Sequence, residues 1–220
     1  MAGAACAGLA VVLVLAVRDL PDEAPGTLPE AVADRAAETG ATNPVTAVLL
    51  GFRAYDTWLE VAVLMAAAIG VLAVVGARDV AGRAPSPHPP PPLLGWMASL
   101  VVPAAVLVGG FILWLGSSAP GGAFQAGSVL GAALLLAWLA GRPGLAGVPA
   151  RALAPLLGAG TAAFLATATV PLLAGDALLE VPAGVAQALV IAVESAVTVS
   201  VAVTLPLVVM AVREPADAPR

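Results

Sequence analysis

The stretch "YDTWLEVAVLMAAAIGVLAVVGA", residues 55–77, decides the fold, because after Trp58 it is apolar apart from one carboxylate, Glu60. A run of about 20 apolar residues is long enough to cross a bilayer as a helix. Two more charges, Arg53 and Asp56, stand immediately before the run. The stretch therefore predicts a membrane helix whose start carries three ionisable side chains.

The whole chain has the composition of a membrane protein. Of its 220 residues, 60% are hydrophobic and 10% are charged, whereas soluble domains carry about 25% charged residues. The apolar residues fall in long runs, which favours an all-α integral membrane protein over a soluble protein with a large core. The net charge of −5 gives no reason to expect nucleic-acid binding.

Six stretches are candidates for membrane helices. The first is short and also resembles the core of a signal peptide, although it lacks the usual basic start. The last is longer than a bilayer requires, and tilting would accommodate the excess. The six predicted spans are Ala2–Val17, Trp58–Ala77, Leu94–Leu115, Ala123–Ala140, Ala152–Ala174 and Ala183–Val212.

The connections between these spans differ in charge on the two sides of the membrane. Arginines follow spans two, four and six, whereas acidic residues outnumber arginines in the first connection. Because short basic loops stay in the cytoplasm, the pattern places both termini there, and an even number of spans agrees. The basic loop residues are Arg78, Arg83, Arg142, Arg151, Arg213 and Arg220.

A proline-rich stretch, residues 84–92, divides the chain. It predicts a semi-rigid cytoplasmic linker of polyproline type. Residues 1–83 would then form a two-helix N-terminal part, and residues 93–220 a four-helix domain. Within the N-terminal part, Leu28–Thr39 has apolar residues at roughly helical spacing, which predicts a short amphipathic helix on the outer surface.

The sequence offers no motif for catalysis, metal binding or a cofactor. Cys6 is the only cysteine and His88 the only histidine, so thiolate and imidazole metal sites lack the required number of ligands. The glycine-rich turn near residue 121 is not followed by the Gly-Lys-Ser/Thr of a phosphate-binding loop. We therefore expect a protein that carries neither metal nor cofactor.

The charges at the start of the second span allow two interpretations. Thr57 and Glu60 have the spacing of a capping box, so Thr57 would begin the helix while Arg53 pairs with Asp56. Alternatively, residues 43–55 are already mostly apolar, and the charges lie within the membrane. Ionisable residues there normally face a partner or a water-filled path.

Glu194 indicates a functional residue more clearly than the charges at the start of the second span do. It lies about 17 Å along the sixth span from Ala183, at 1.5 Å per residue. That is close to the middle of a bilayer, where no capping role is available. Gln187, Glu194 and Thr198 share one helix face. Glu194 is either a protonated side chain bonded to a neighbouring helix or a carboxylate that exchanges protons or cations, with its partner in another subunit.

The segment Ser117–Ala132 predicts a tight turn followed by a helix with small residues on one face. Pro120, Gly121 and Gly122 form the turn, and Gly127 is followed four residues later by another glycine. Such small-xxx-small faces allow membrane helices to approach closely. The segment therefore predicts a hairpin of two closely packed spans.

Residues 39–74 resemble a segment near the C-terminus of the large A subunit of Mrp-type multisubunit cation/proton antiporters. The same segment is a separate small subunit in membrane-bound hydrogenases. Its hallmark is an Asn followed by D-F-R-x-F-D-T-x-x-E, and here Gly51 and Tyr55 replace the first Asp and the second Phe. The matching residues are Asn43, Phe52, Arg53, Asp56, Thr57 and Glu60.

Residues 119–141 resemble the P-G-G-G-F-x-G-G motif of the antiporter B subunit. Ala123 and Ala126 replace glycines, and Ser117 stands where a histidine is common. The last span is similar to the last helix of that subunit, with Glu194 and Thr198 in an E-x-x-x-T setting. The matching residues of the glycine-rich motif are Pro120, Gly121, Gly122, Phe124 and Gly127.

The resemblance implies an accessory, non-enzymatic subunit of a multisubunit Na⁺/H⁺ antiporter in a bacterial inner membrane. Its partners would be membrane lipid, the large antiporter-like subunits, Na⁺ and H⁺. The polar points of its ion path would be Arg53, Asp56, Glu60, Glu194 and Thr198, with Glu60 and Glu194 as exchangers and Asp56 as the partner of Arg53. Two alternatives stay open: a membrane-arm subunit of a complex I-related hydrogenase or oxidoreductase, and a purely structural scaffold.

Overall fold

The computed structural model describes residues 11–12, 14–15, 18, 28–76, 90–174 and 183–212. All regular structure in those ranges is helical. Two 3₁₀ turns, Ala36–Thr39 and Gly144–Gly147, and one π-helix, Ala47–Phe52, accompany the α-helices. The α-helices are α1 Leu28–Arg35, α2 Pro44–Thr46, α3 Ala54–Val75, α4 Pro92–Leu115, α5 Ala123–Leu139, α6 Ala150–Ala174 and α7 Ala183–Val212.

Four of these helices, α3, α4, α6 and α7, are long and apolar enough to cross a membrane, and α5 is a shorter apolar helix of 17 residues. The expectation of an all-α membrane protein is therefore confirmed. The number of six spans and the cytoplasmic placement of both termini stay predictions. Apart from a few positions, the predicted first span, Ala2–Val17, and the linker at residues 84–92 lie outside the described residues.

By its packing the chain falls into two compact units, Met1–Asp34 and Arg35–Arg220. Most of the short helix α1 belongs to the first unit. Helix α1 and the 3₁₀ turn that follows it together confirm the helix predicted for Leu28–Thr39. The second unit contains α2 to α7. The candidate site and both cavities described below lie within this second unit.

Helix α7 forms the centre of the second unit and packs on α3, α5 and α6. In its apolar span 56% of the residues are buried, against 11% in α3 and in α4. Val197 and Val201 of α7 lie in one buried apolar cluster, and Leu207 and Met210 lie in a second. The outer faces of α3 and α4 are apolar and exposed in the single chain, so lipid or other membrane helices must cover them.

The small-residue face of α5 packs against α7. A β-carbon at Gly127 would lie 2.6 Å from Cβ of Val201, and one at Gly131 would lie 3.2 Å from the carbonyl oxygen of Ala202. The predicted hairpin of α4 and α5 is present, since these two helices also pack together. The glycine face, however, serves the contact with α7, because α7 atoms occupy the space that side chains at Gly127 and Gly131 would need.

Candidate functional site

The segment before α3 is a broken helix. Oδ1 of Asn43 accepts hydrogen bonds from the backbone N–H groups of Val45 (2.8 Å) and Thr46 (3.4 Å) and so caps α2. The π-helix Ala47–Phe52 follows, a rare backbone form that is frequent at functional sites. Arg53 then leaves helical geometry, with φ −124° and ψ 33°, and α3 begins one residue later.

The helix start expected at Thr57 is wrong. Helix α3 begins at Ala54, so Thr57 lies inside its first turn and forms no capping box with Glu60. Thr57 is buried instead, and its hydroxyl donates a 2.7 Å hydrogen bond to the carbonyl of Leu49. The bond ties α3 back to the π-helix, because Leu49 lies in that segment.

The charged residues at the start of α3 lie on the outside of the chain. Arg53 and Asp56 form an ion pair, as expected, with side chains that are 69% and 46% exposed. Glu60 is also exposed. The single chain therefore does not bring these three residues together with Glu194.

The broken segment docks on the turn that follows α4. The backbone N–H groups of Thr42 and Asn43 donate to the carbonyl of Ser117 at 2.9 and 3.1 Å. The hydroxyl of Thr46 donates to the carbonyl of Gly116. The segment that resembles the antiporter A subunit is thus hydrogen-bonded directly to the turn that precedes the glycine-rich motif.

Glycines are required where this turn enters α5. The N–H of Gly122 donates to the carbonyl of Ile112 at 3.2 Å. A β-carbon at Gly121 would lie 2.6 Å from that same oxygen. Gly122 has φ +116°, which side chains rarely adopt. The turn therefore folds back onto the last turns of α4 and delivers the N-terminus of α5 to α7.

The Glu194 carboxylate lies in the cradle that this turn forms, and the side chain is 5% exposed. A β-carbon at Gly116 or Gly122 would lie 2.7 or 2.9 Å from its Oε1. The backbone N–H of Ala123, the first residue of α5, faces the carboxylate. The positive end of the α5 dipole therefore faces the carboxylate, whereas Oε2 has no hydrogen-bond partner among the described residues.

Other hydroxyls on α7 bond to backbone groups. Thr198, 2% exposed, donates to the carbonyl of Glu194 at 2.8 Å and approaches that of Ala123 at 3.4 Å. Ser200 accepts from the N–H of Gly160 at 2.8 Å and donates to the carbonyl of Leu156 at 3.2 Å. Because these two α6 residues are four apart, the Ser200 hydroxyl inserts into the hydrogen-bond ladder of that helix.

Two cavities border this region. The inner cavity, of about 110 Å³, lies between the broken segment, the glycine-rich turn and α7, and its polar lining is Thr46, Thr57, Gln125 and Glu194. The outer cavity, of about 250 Å³, lies between the 3₁₀ turn at Ala36–Thr39, the π-helix, α6 and α7. Both are large enough for several waters, since one water needs about 10–15 Å³.

The structure thus brings together some of the predicted site residues and separates others. Thr57, Gly121, Gly122, Phe124 and Glu194 line the inner cavity. The face predicted for α7 is incomplete, since Gln187 is exposed whereas Glu194 and Thr198 are buried. Sequence reasoning missed Thr46, Gly116 and Ser200, because their roles depend on backbone groups that lie 40 to 70 residues away.

With this geometry described, the chain can be compared with known proteins. Residues 93–213 match the model of a domain related to the MnhB subunit of Na⁺/H⁺ antiporters. The chain belongs to this family. The MnhB match contains the glycine-rich turn and Glu194, while the broken segment and α3 precede it. No curated protein matches the chain.

Two solved structures resemble this MnhB-related chain. One is a chain of the membrane-bound sulfane sulfur reductase, an archaeal respiratory membrane complex, with a TM-score of 0.73 and 23% identity over 96% of this chain and 98% of that one. The other is a chain of the Mrp complex from Dietzia sp. DQ12-45-1b, with a TM-score of 0.68 and 24% identity. The match covers 99% of this chain but 26% of the Dietzia chain. At these identities the two structures share the fold.

Proposed function

We propose that this chain is an accessory membrane subunit of a multisubunit Na⁺/H⁺ antiporter. It is a multi-pass protein of the cell membrane and assembles with other antiporter subunits, including the large antiporter-like ones. The family match over residues 93–213 supports this role. The observation that supports a role in ion transport is the buried Glu194 carboxylate. It borders the inner cavity, and one of its oxygens has no hydrogen-bond partner among the described residues.

Glu194 is suited to exchange, because its neighbours are backbone groups. The N–H of Ala123 faces it, and neither this group nor the glycines beside it add a charge. A carboxylate bound to an arginine would hold a permanent counter-charge, whereas Glu194 has none among the described residues. It can therefore take up either a proton or a cation as its compensating charge, which is what an exchange step requires.

The charges at the start of α3 have a different role. Arg53 is already paired with Asp56, so this pair is held in place and we assign it to the wall of the ion path. Glu60 is exposed on an otherwise apolar helix. Contact with lipid hydrocarbon would be costly for a carboxylate. Glu60 therefore faces either a neighbouring subunit or water enclosed between that subunit and this chain.

A second candidate function is that of a membrane-arm subunit in a redox-driven complex. The observation in its favour is the match to the archaeal respiratory complex, which covers nearly the whole of both chains. Purification of the native complex distinguishes the two. An antiporter copurifies without redox subunits, whereas a respiratory complex brings an iron–sulfur subunit with visible absorption.

The test of the proposed function is cation-dependent ΔpH formation in everted vesicles that contain the whole complex. We expect Glu194→Gln to lower exchange at least about tenfold, equivalent to 1.4 kcal/mol in a barrier, while assembly on a native gel is unchanged. Glu60→Gln is expected to lower exchange as well. The matched control is Glu30→Gln, since Glu30 is an exposed acid on α1. Full exchange in both variants would leave the scaffold as the explanation.

A further inference from the structure

The inner and outer cavities share two lining residues, Leu50 and Val193. Leu50 lies on the π-helix, and Val193 lies on α7 immediately before Glu194. Val193 is 4% exposed, and Leu50 packs against the apolar cluster that contains it. These two apolar side chains therefore stand between the space beside Glu194 and the outer cavity.

The outer cavity has a charged rim, and charged side chains normally stay in contact with water. Arg35 and Glu38 line it and form an ion pair at 2.8 Å, with side chains 65% and 60% exposed. The hydrogen bond from Arg35 holds the pKa of Glu38 below its usual range, so Glu38 stays ionised at neutral pH. Thr39 and Thr167 add hydroxyls to the lining.

The inner cavity has no comparable rim. Its exposed apolar lining includes Val45 and Leu49, at 63% and 41% exposure in the single chain. In a membrane such side chains face lipid or a neighbouring helix, from which a hydrophilic cation cannot arrive without a large desolvation cost. Water and ions therefore have a lower-cost approach to Glu194 from the outer cavity.

We infer that the outer cavity is the aqueous vestibule through which water and small monovalent cations, including protons, reach Glu194, with Leu50 and Val193 as the apolar partition. Displacement of Leu50 joins the two cavities into one path. The π-helix that carries Leu50 is the kind of irregular backbone that membrane proteins tolerate where it lines a cavity. This inference rests on the proposed function for its purpose, but the path itself can be tested without transport.

The experiment measures thiol reactivity in the intact complex, reconstituted in nanodiscs so that reagent reaches both faces of the membrane. Cys6, the only cysteine of the chain, is first replaced by Ser. Val197→Cys then reports on the inner cavity, and Thr167→Cys reports on the outer cavity. Labelling by a cationic methanethiosulfonate reagent is followed from the mass of this chain.

We expect Thr167→Cys to react quickly and Val197→Cys slowly. Adding Leu50→Ala should raise the rate at Val197→Cys at least about tenfold, because a bulky barrier is removed. Leu189→Ala is the matched control, since Leu189 lines the outer cavity alone, and it should leave that rate unchanged. The cationic reagent should also react faster at Val197→Cys than an anionic one of similar size.

Three results would overturn the vestibule. The first is a Thr167→Cys that does not react. The second is a labelling rate at Val197→Cys that Leu50→Ala does not change. The third is a Leu189→Ala variant that raises this rate as much as Leu50→Ala does. Labelling does not require ion exchange, so it separates this inference from the proposed function. The labelling rates could follow these expectations while the Glu194→Gln complex still exchanges ions. That result would support the path through the outer cavity and contradict the proposed role of Glu194 in exchange.

Discussion

Thr46 donates its hydroxyl hydrogen to the carbonyl of Gly116, which joins the broken segment before α3 to the end of α4. Both residues are buried, Thr46 at 6% exposure and Gly116 in the same buried class. The bond also holds Gly116 in place, and Gly116 lies directly beside the Glu194 carboxylate. The position of the glutamate therefore depends on a contact between two parts of the sequence that are 70 residues apart.

Thr46→Val should weaken the complex, because it leaves a buried carbonyl without its donor. An unpaired buried polar group costs about 1–3 kcal/mol. We expect a lower midpoint of thermal unfolding for the purified complex and reduced antiport. Thr46→Ser retains the hydroxyl and serves as the control. Equal stability of the Val and Ser variants would show that the bond contributes little.

Gly116→Ala should reduce exchange by displacing Glu194. The backbone at Gly116, with φ −51° and ψ −36°, accepts alanine without strain. Its β-carbon, however, would lie 2.7 Å from Glu194 Oε1, so the carboxylate must move. We expect antiport in everted vesicles to fall several-fold while the complex still assembles on a native gel.

The same variant can be combined with Glu194→Gln to test whether the two changes act on one group. If Gly116→Ala acts through the carboxylate, the double variant loses no more exchange than Glu194→Gln alone, because coupled sites are not additive. Additive losses would assign the effect of Gly116→Ala to the turn itself, whose Gly122 α-carbon is equally close.

The long helices were predictable, whereas the site was predictable only in part. Apolar run length determines where a chain can span a bilayer, and the predicted last span has the bounds of α7. Hydropathy does not report hydrogen-bond register, so it could not indicate the π-helix or the break at Arg53. The side chain of Glu194 was recognisable as buried. Its surroundings were not, because they are backbone groups of Gly116, Gly122 and Ala123.

Gly127→Ala should destabilise the contact of α5 with α7. The added β-carbon would lie 2.6 Å from Cβ of Val201 and 3.0 Å from the carbonyl oxygen of Thr198, so the helices must separate. Overpacking of this kind costs about 1–3 kcal/mol. Gly110→Ala on α4 is the control, because a β-carbon there meets nothing within 4 Å. We expect a lower thermal midpoint for the first variant alone, and a similar midpoint for both would contradict the close packing.

The ion pair of Arg53 and Asp56 gives a test of whether another subunit covers the start of α3. A pair in water couples by about 0.2–1 kcal/mol, whereas a pair shielded by protein couples more strongly. A double-mutant cycle with Arg53→Gln and Asp56→Asn, measured from the SDS-induced unfolding of the whole complex, gives this coupling. We expect a value above about 1 kcal/mol, because an ion pair in the membrane region requires protein or water around it.

Arg35→Gln with Glu38→Gln is the matched cycle, since that pair has the same spacing and is open to solvent, and it should show little coupling. Equally weak coupling in both cycles would place Arg53 and Asp56 in bulk water and outside the wall of the ion path.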